Sequence, residues 1–105
     1  MSVLYITEYL DIDGARQIPR EPALASQTVA IGSSSTTSQP FNAQTTVVRL
    51  HTDAICSVVI GPVGTASAPL TATIGSSRMA AGQTEYRGLV LNGLTQFQAA
   101  VTTNT

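Results

Sequence analysis

The stretch VVRLHTDAICSVVIGP, residues 47–62, contains two strand-like runs on either side of a short polar connection. Residues 43–52 alternate apolar positions with Arg49 and His51, and a period of two is typical of a β-strand. Residues 55–61 are rich in β-branched side chains and end at a Gly-Pro pair, which is typical of a second strand and its end. The stretch therefore predicts a hairpin of two strands and favours an all-β fold.

The rest of the chain extends this pattern, because Thr, Ser, Val, Ala and Gly dominate its composition. The Asn92-Gly93 pair suits the positive φ angles of a type I′ turn and predicts a hairpin at the C-terminal end. Residues 33–42 read as a long loop, and the helix-like segment 21–27 is too short to matter. About eight strands at this spacing favour a jelly-roll-like β-sandwich. Besides 43–52 and 55–61, the predicted strands are 3–10, 27–33, 70–75, 76–82, 84–91 and 94–102.

A chain of 105 residues predicts a single β-sandwich domain over residues 1–105. It has three Tyr, two Phe and no Trp, so its Ala-rich core should be only modestly stabilising. Residues 1–25 are predicted to form an arm-like N-terminal segment, in which VLYITEYL (3–10) could add to a neighbour's sheet. Strand edges without any Lys are poorly protected against pairing, and we expect a homo-oligomer, most simply a homotrimer.

Charged residues are sparse in this chain, and their number and spacing argue against a nucleic-acid partner. Charged residues make up 10% of the sequence, the net charge is −1, and all five basic residues are scattered arginines. Nucleic-acid binding draws on clustered cations, so no nucleic-acid partner is expected.

The N-terminal residues do not resemble a signal peptide, and no apolar run has the length of a membrane helix. A single Cys signals no disulfide, and we predict a soluble protein made without export.

His51, Asp53 and Cys56 lie close together in sequence and could form a catalytic or metal site. A Cys nucleophile usually takes its His from a distant part of the chain, and zinc needs about four ligands. No second His or Cys exists to supply them. Asp53 suits a turn, and a Cys at the start of an apolar strand usually behaves as a small buried hydrophobe. We therefore predict a structural role, with no catalytic, cofactor or metal residues here.

Two further motifs resemble ligand-binding loops but depart from their patterns. Asp11, Asp13 and Gly14 resemble the start of a calcium loop, with Glu21 near its final position. The Gly comes two residues early and the third acid is missing, so a polar turn is predicted. GPVG, residues 61–64, would need a following helix and a Lys to hold phosphate, and the chain has no Lys.

Glycoside chemistry would require a pair of carboxylates, and only Glu85 lies in a strongly predicted strand. No second acid accompanies it, so a solvated strand residue is predicted. Tyr5, Tyr9 and Tyr86 could instead line a sugar-binding face, because aromatic rings stack on the apolar faces of sugars. Packing or a protein interface is the alternative use of these three rings.

The C-terminal half of the chain resembles a family of phage proteins. VVRLHTDAICSVVIG (47–61) and SRMAAGQTEYRGLVLNGLTQFQAAV (77–101) are similar, in order and residue type, to small β-sheet capsid cement or decoration proteins of tailed bacteriophages. The matching positions are Val48-Arg49-Leu50, Thr52-Asp53, Cys56, Val58, Gly64-Thr65-Ala66, Met79, Ala81-Gly82, Glu85-Tyr86, Gly93 and the strand 95–102.

The resemblance implies a virion structural protein that binds between major capsid protein subunits, on the outer surface of a capsid assembled in the host cytoplasm. It implies no catalytic chemistry, so an enzyme is not expected. The alternatives are another phage component, such as a head fibre, neck or tail piece, and a carbohydrate-binding β-sandwich module. No cofactor is expected under any of these hypotheses.

Overall fold

The computed structural model describes residues 2–90 and 96–104. Within these residues the chain forms ten strands and no helix, so no helix there is long and apolar enough to cross a membrane. The prediction of an all-β fold is confirmed. Three unpredicted strands are only two residues long, and the predicted strand 70–75 is not formed, so ten strands are present where about eight were predicted. In chain order they are β1 (Val3–Tyr9), β2 (Ile12–Asp13), β3 (Ile18–Pro19), β4 (Ala25–Ala30), β5 (Thr36–Thr37), β6 (Val47–Thr52), β7 (Cys56–Pro62), β8 (Ser77–Met79), β9 (Thr84–Gly88) and β10 (Phe97–Thr103).

The strands form two four-stranded antiparallel sheets and a small two-stranded ribbon. The first sheet has the order β4-β1-β6-β9, the second has the order β5-β10-β7-β8, and β2 pairs only with β3. Consecutive strands lie in opposite sheets at five points between β4 and β10. The jelly-roll arrangement of the strands stays a prediction.

The two sheets pack on a common apolar core. Leu4, Ile6 and Leu50 contribute from the first sheet, and Val58 and Val101 contribute from the second. All five are at most 1% exposed, as expected for side chains at alternate positions of strands with one inward face. Few of the core side chains are large, and the bulkiest fully buried ones are Phe41, Leu4, Ile6, Leu50 and Met79.

The N-terminal segment is not a free arm. Residues 3–9 form β1, which pairs with β4 on one edge and with β6 on the other. Both rows of backbone groups are therefore already used inside the molecule, and this strand cannot add to a neighbour's sheet. Its start is fixed by Asp53, whose Oδ1 accepts a hydrogen bond of 2.8 Å from the Val3 backbone N–H. The helix-like segment 21–27 leads instead into β4, which begins at Ala25.

The two predicted hairpins are both wrong in their pairing. Strands β6 and β7 form where they were expected, but β6 belongs to the first sheet and β7 to the second. In the same way β9 pairs with β6, whereas β10 pairs with β7 and β5. The predicted Asn92-Gly93 turn lies outside the described residues. The chain crosses the core at these connections because burial of the inward faces, rather than local turn chemistry, selects the partner strand.

The outer face of the second sheet is covered by the chain itself. Residues 63–76 lie across it, and the segment 70–75, predicted as a strand, belongs to this covering loop. Leu70 contacts Gly61 of β7, and the Ala72 backbone N–H donates to Ser35 Oγ at 2.8 Å. Asn104 donates to Ser57 Oγ at 2.7 Å. As a result the outward side chains Ser57, Gln98, Ala100 and Thr102 are all at most 7% exposed.

Candidate functional site

Within residues 2–90 and 96–104 no comparable loop lies over the outer face of the first sheet, although Tyr9 and Val47 are buried there. This face brings together all three tyrosines and the single histidine. The register places Tyr5 beside His51 and Thr7 beside Arg49, and Arg49 in turn lies beside Tyr86. We call this surface the tyrosine face. Its members, which alternate with inward-facing residues along four strands, are Tyr5, Thr7, Tyr9, Ser26, Thr28, Arg49, His51, Thr84 and Tyr86.

Aromatic side chains are accessible at two places on the tyrosine face. Tyr5 is 44% exposed and Tyr86 is 53% exposed. The rings of Tyr5 and His51 are tilted by 46°, with centroids 6.1 Å apart. His51 Nδ1 lies 2.7 Å from Thr84 Oγ1, within hydrogen-bond distance, so the imidazole is held in one orientation. An open groove of about 760 Å³ runs along this part of the face and is lined by Tyr5, Ile6, Thr7, Ser26, Gln27, Thr28, Arg49 and His51.

Arg49 is half-buried and lines this groove from β6. Within residues 2–90 and 96–104 its guanidinium forms no hydrogen bond or ion pair with another side chain or with the backbone. A guanidinium presents five donors in a planar fork and suits a carboxylate or several hydroxyl oxygens. The tyrosine face therefore offers donors and aromatic surface together.

Tyr9 closes one end of the tyrosine face and is only 6% exposed. Burial raises the pKa of its hydroxyl, and the negative charge of the neighbouring Glu21 carboxylate raises this pKa further. The group therefore stays protonated to a higher pH than an exposed tyrosine.

The structure separates His51 from Cys56. His51 points outward on the tyrosine face, whereas Cys56 begins a strand of the opposite sheet and is 0% exposed. The Cys56 thiol lies 3.6 Å from Thr52 Oγ1, and burial raises its pKa. A thiol of raised pKa in the core is a poor nucleophile, since the thiolate is the reactive form. Asp53 lies at the turn, as predicted, and holds the start of β1.

The acids of the predicted calcium-like loop do not converge on a common point. Asp13 Oδ1 accepts backbone hydrogen bonds from Ala15 at 3.0 Å and Arg16 at 3.3 Å, which closes the tip of the β2–β3 ribbon. Asp11 pairs with Arg20 at 3.2 Å. Glu21 lies instead beside Tyr9. In the part of the chain that the structure describes, no group of three or more His, Cys, Asp or Glu residues could hold a metal ion.

GPVG, residues 61–64, opens the covering loop and does not lead into a helix. A Cβ atom on Gly64 would lie 2.6 Å from the Leu70 backbone nitrogen and 2.7 Å from the Pro69 Cα. The Gly64 N–H donates to Gln98 Oε1 at 3.3 Å, so the loop is bonded down onto β10. Glycine is required here for close packing of backbone on backbone.

Glu85 is not the solvated residue that its sequence context predicted. It points inward at the open side of the sandwich and forms an ion pair with Arg87 at 3.0 Å. Gln83 also donates to it. Arg87 reaches across to Ser77 Oγ of β8 at 3.0 Å, so these side chains join the two sheets at this edge.

The sequence indicated Tyr5, Tyr9 and Tyr86 as exposed rings that could share a face. The structure places all three on one face, but Tyr9 is buried there. The sequence did not connect these rings with Arg49 and His51. The alternation of residues 43–52 had already assigned both side chains to one face, and this assignment is confirmed. The sequence pattern did not indicate that β6 pairs with β1. Neighbouring strands that are more than 40 residues apart leave no local signal of their pairing.

Comparison of the chain with known proteins finds no matching family model, no matching curated protein and no matching solved structure. The resemblance to phage decoration proteins therefore remains a prediction. The residues that carry it include Val48, Leu50, Cys56, Val58 and Met79, all of which are 0% exposed.

Proposed function

We propose that this chain is a virion structural protein that cements or decorates a bacteriophage capsid, and that the tyrosine face binds between major capsid protein subunits. The observation that carries the proposal is the contrast between the two outer faces. The chain covers the outer face of its second sheet and leaves the tyrosine face, with exposed Tyr5 and Tyr86, in contact with solvent. An uncovered sheet face with accessible aromatic rings is a surface suited to a partner.

The composition of the face supports a protein partner. Protein interfaces are enriched in aromatic residues and Arg and depleted in Lys, Asp and Glu. The outward positions of the first sheet contain three Tyr, one Arg and one His, and none of them is Lys, Asp or Glu. They are Val3, Tyr5, Thr7, Tyr9, Ser26, Thr28, Ala30, Val47, Arg49, His51, Thr84, Tyr86 and Gly88.

Arg49 and Tyr5 are the expected anchors of this interface. Tyr and Arg dominate binding hot spots, because they combine large contact area with directional hydrogen bonds. Arg49 and Tyr5 both line the groove, one register position apart on the outward face, and the Arg49 guanidinium has donors to offer. A carboxylate or backbone carbonyl of the capsid subunit, seated beside the Tyr5 ring, would satisfy them.

Co-sedimentation with empty heads of the phage that encodes the chain tests this function. We expect the purified protein to sediment with the heads at high copy number, and Y5A and R49A each to weaken binding by about tenfold or more. I74A is the matched control, since Ile74 is 77% exposed in the covering loop of the second sheet. Failure of the wild-type protein to bind heads, or equal binding by R49A and I74A, would contradict the proposal.

Copy number separates this function from the other phage roles. A decoration protein is present in many copies over the capsid surface, whereas a neck, tail or fibre-base component occurs in few. Quantification of the bound protein per head therefore decides between them. The predicted trimer remains open, although β1, the strand expected to mediate it, has no free edge.

A carbohydrate-binding module is the second candidate, and the clustering of Tyr rings with Arg49 and several hydroxyls favours it. An aromatic ring can stack on a sugar while the surrounding donors bind its hydroxyls. Retention on a glycan array that is lost in Y5A, with no binding to heads, would support this alternative over the capsid role. Tyr9 should matter little to it, because that ring is almost fully buried.

A further inference from the structure

Strand β9 is the outer strand of the first sheet, and it offers a free edge at three residues. The hydrogen bonds from Leu89 N–H to the Thr46 carbonyl and from Thr52 N–H to the Gln83 carbonyl show that its odd-numbered residues bond towards β6. In an antiparallel ladder the even-numbered residues then direct their N–H and C=O groups away from β6. Thr84, Tyr86 and Gly88 are all exposed. Within residues 2–90 and 96–104 their backbone groups have no partner beyond this edge.

The sequence TEYRG of this strand is complementary to itself when it is paired antiparallel about Tyr86. That register sets Thr84 opposite Gly88 of a second copy and makes Tyr86 face its own counterpart. All three are hydrogen-bonded pairs, so each free edge group finds a partner. Glu85 then faces Arg87 of the second copy in a non-hydrogen-bonded pair, in which side chains approach most closely.

Neighbouring registers are disfavoured by charge. Displacing one copy by two residues in either direction sets Glu85 opposite Glu85, or Arg87 opposite Arg87. Like charges directly opposite each other destabilise a strand pair. The charges of this edge therefore select one alignment and one partner, a second copy of the chain.

We propose that two copies pair through β9 about a two-fold axis at Tyr86 and join their first sheets into one continuous eight-stranded sheet. The interface is isologous, so the same residues serve on both sides. A two-fold axis perpendicular to a sheet keeps corresponding faces on the same side. The two tyrosine faces thus lie next to each other, with both copies of Tyr86 at the centre.

The size of the tyrosine face favours such pairing. Four strands at about 4.8 Å spacing, each about 20 Å long, give one face an area of about 400 Å². A standard protein interface takes about 800 Å² from each partner. Two faces side by side reach that size, and one alone does not. This argument from size rests on the proposed function, and Tyr86 is shared by the two surfaces. The complementary charges of β9 do not rest on it, so a dimer that fails to bind heads would overturn the capsid role and leave the pairing standing.

Cysteine cross-linking tests the register directly. Cα atoms in a hydrogen-bonded antiparallel pair are about 5.5 Å apart, which suits a disulfide. We expect mild oxidation of Y86C to give a covalent dimer. T84C should not cross-link, because residue 84 meets residue 88 of the second copy, and neither should T28C, at the middle of the opposite edge strand β4. The native Cys56 is 0% exposed and should not interfere.

Charge reversal tests the same register without a cysteine. We expect light scattering to show a dimer for the wild-type chain, and E85R or R87E alone to raise its dissociation constant about tenfold. The double variant E85R/R87E restores unlike pairs both within and between copies, and it should dimerise like the wild type. Thermal unfolding of each variant verifies that it is folded. A wild-type monomer or trimer, or cross-linking of Y86C no faster than T84C, would overturn the proposal.

Discussion

The two sheets of this protein have the same number of strands but opposite relations to solvent. In the second sheet the outward Gln98 and Ala100 are buried, and Gln98 is bonded to Gly64 of the loop 63–76. In the first sheet the outward Tyr5 and Tyr86 remain about half exposed. The covered face holds small and polar residues, of which Gln98 bonds to the loop, whereas the uncovered face holds larger rings and a half-buried Arg. The second sheet's outer face is thus packed inside the molecule, whereas in our proposal the first sheet's outer face binds a partner. Paired substitutions can test this division.

The largest expected loss of stability follows from a substitution at Gly64, where the covering loop packs backbone against backbone. G64A should lower the free energy of unfolding by about 3 kcal/mol, because its new Cβ meets backbone atoms that cannot move aside as a side chain can. On the uncovered face Gly88 has no heavy atom within 4 Å of a Cβ position. G88A should therefore change stability by less than about 0.5 kcal/mol.

Urea unfolding followed by circular dichroism measures both variants. Equal stability of G64A and the wild type would mean that the loop does not pack on the second sheet as described.

The next largest expected difference in stability is between leucine substitutions at two matched alanines. Ala100 points outward from β10 and is 0% exposed, whereas Ala30 points outward from β4 and is exposed. A100L should destabilise the protein by about 2 kcal/mol, because the added methylenes have no space beneath the loop. A30L should stay within about 0.5 kcal/mol of the wild type.

The thermal midpoints of these two leucine variants provide the measurement. If A30L is as destabilising as A100L, the outer face of the first sheet is also covered, and the docking proposal loses its basis.

The smallest expected effect concerns Tyr9, the one tyrosine of the exposed face that the chain itself covers. Its pKa is raised above the ordinary 10.0 by burial and by Glu21. As the pH rises through about 10, the unfolded chain loses this proton before the folded chain does, so the free energy of unfolding falls. Y9F removes this contribution and should show a shallower decline between pH 9 and 11 than the wild type.

Cys56 contributes a decline of the same sign above its ordinary value of 9.0, and it is present in both proteins. The comparison of Y9F with the wild type therefore isolates the tyrosine. Identical pH profiles would show that the Tyr9 hydroxyl titrates alike in the folded and unfolded chains. Y5F serves as the control on the exposed part of the face.

Much of the strand pattern could be predicted from the sequence. The alternation in residues 3–10 placed Tyr5 and Tyr9 on the face opposite Leu4, and the alternation in 43–52 placed His51 opposite Leu50. Both assignments are confirmed, since a period of two depends only on the geometry of one strand. The buried, structural Cys56 was likewise evident from the apolar residues that follow it.

The choice of partner for each strand could not be predicted from the alternation pattern. Residues 47–62 and 84–102 each read as a hairpin, yet both connect strands of different sheets. Residues 3–10 read as an arm, yet they form an inner strand. A short connection allows a hairpin and a crossing between sheets equally, and the choice depends on which inward faces bury each other.

The sequence by itself determined the all-β class, the strand positions and the side chains that share a face, because these depend on residues within a few positions of one another. Only the tertiary structure decided which face is covered and which is free. Tyr5, Arg49 and Tyr86 become neighbours through pairings of β1 with β6 and of β6 with β9, which join segments more than 30 residues apart. Such contacts depend on the burial of the whole core, and no local pattern specifies them.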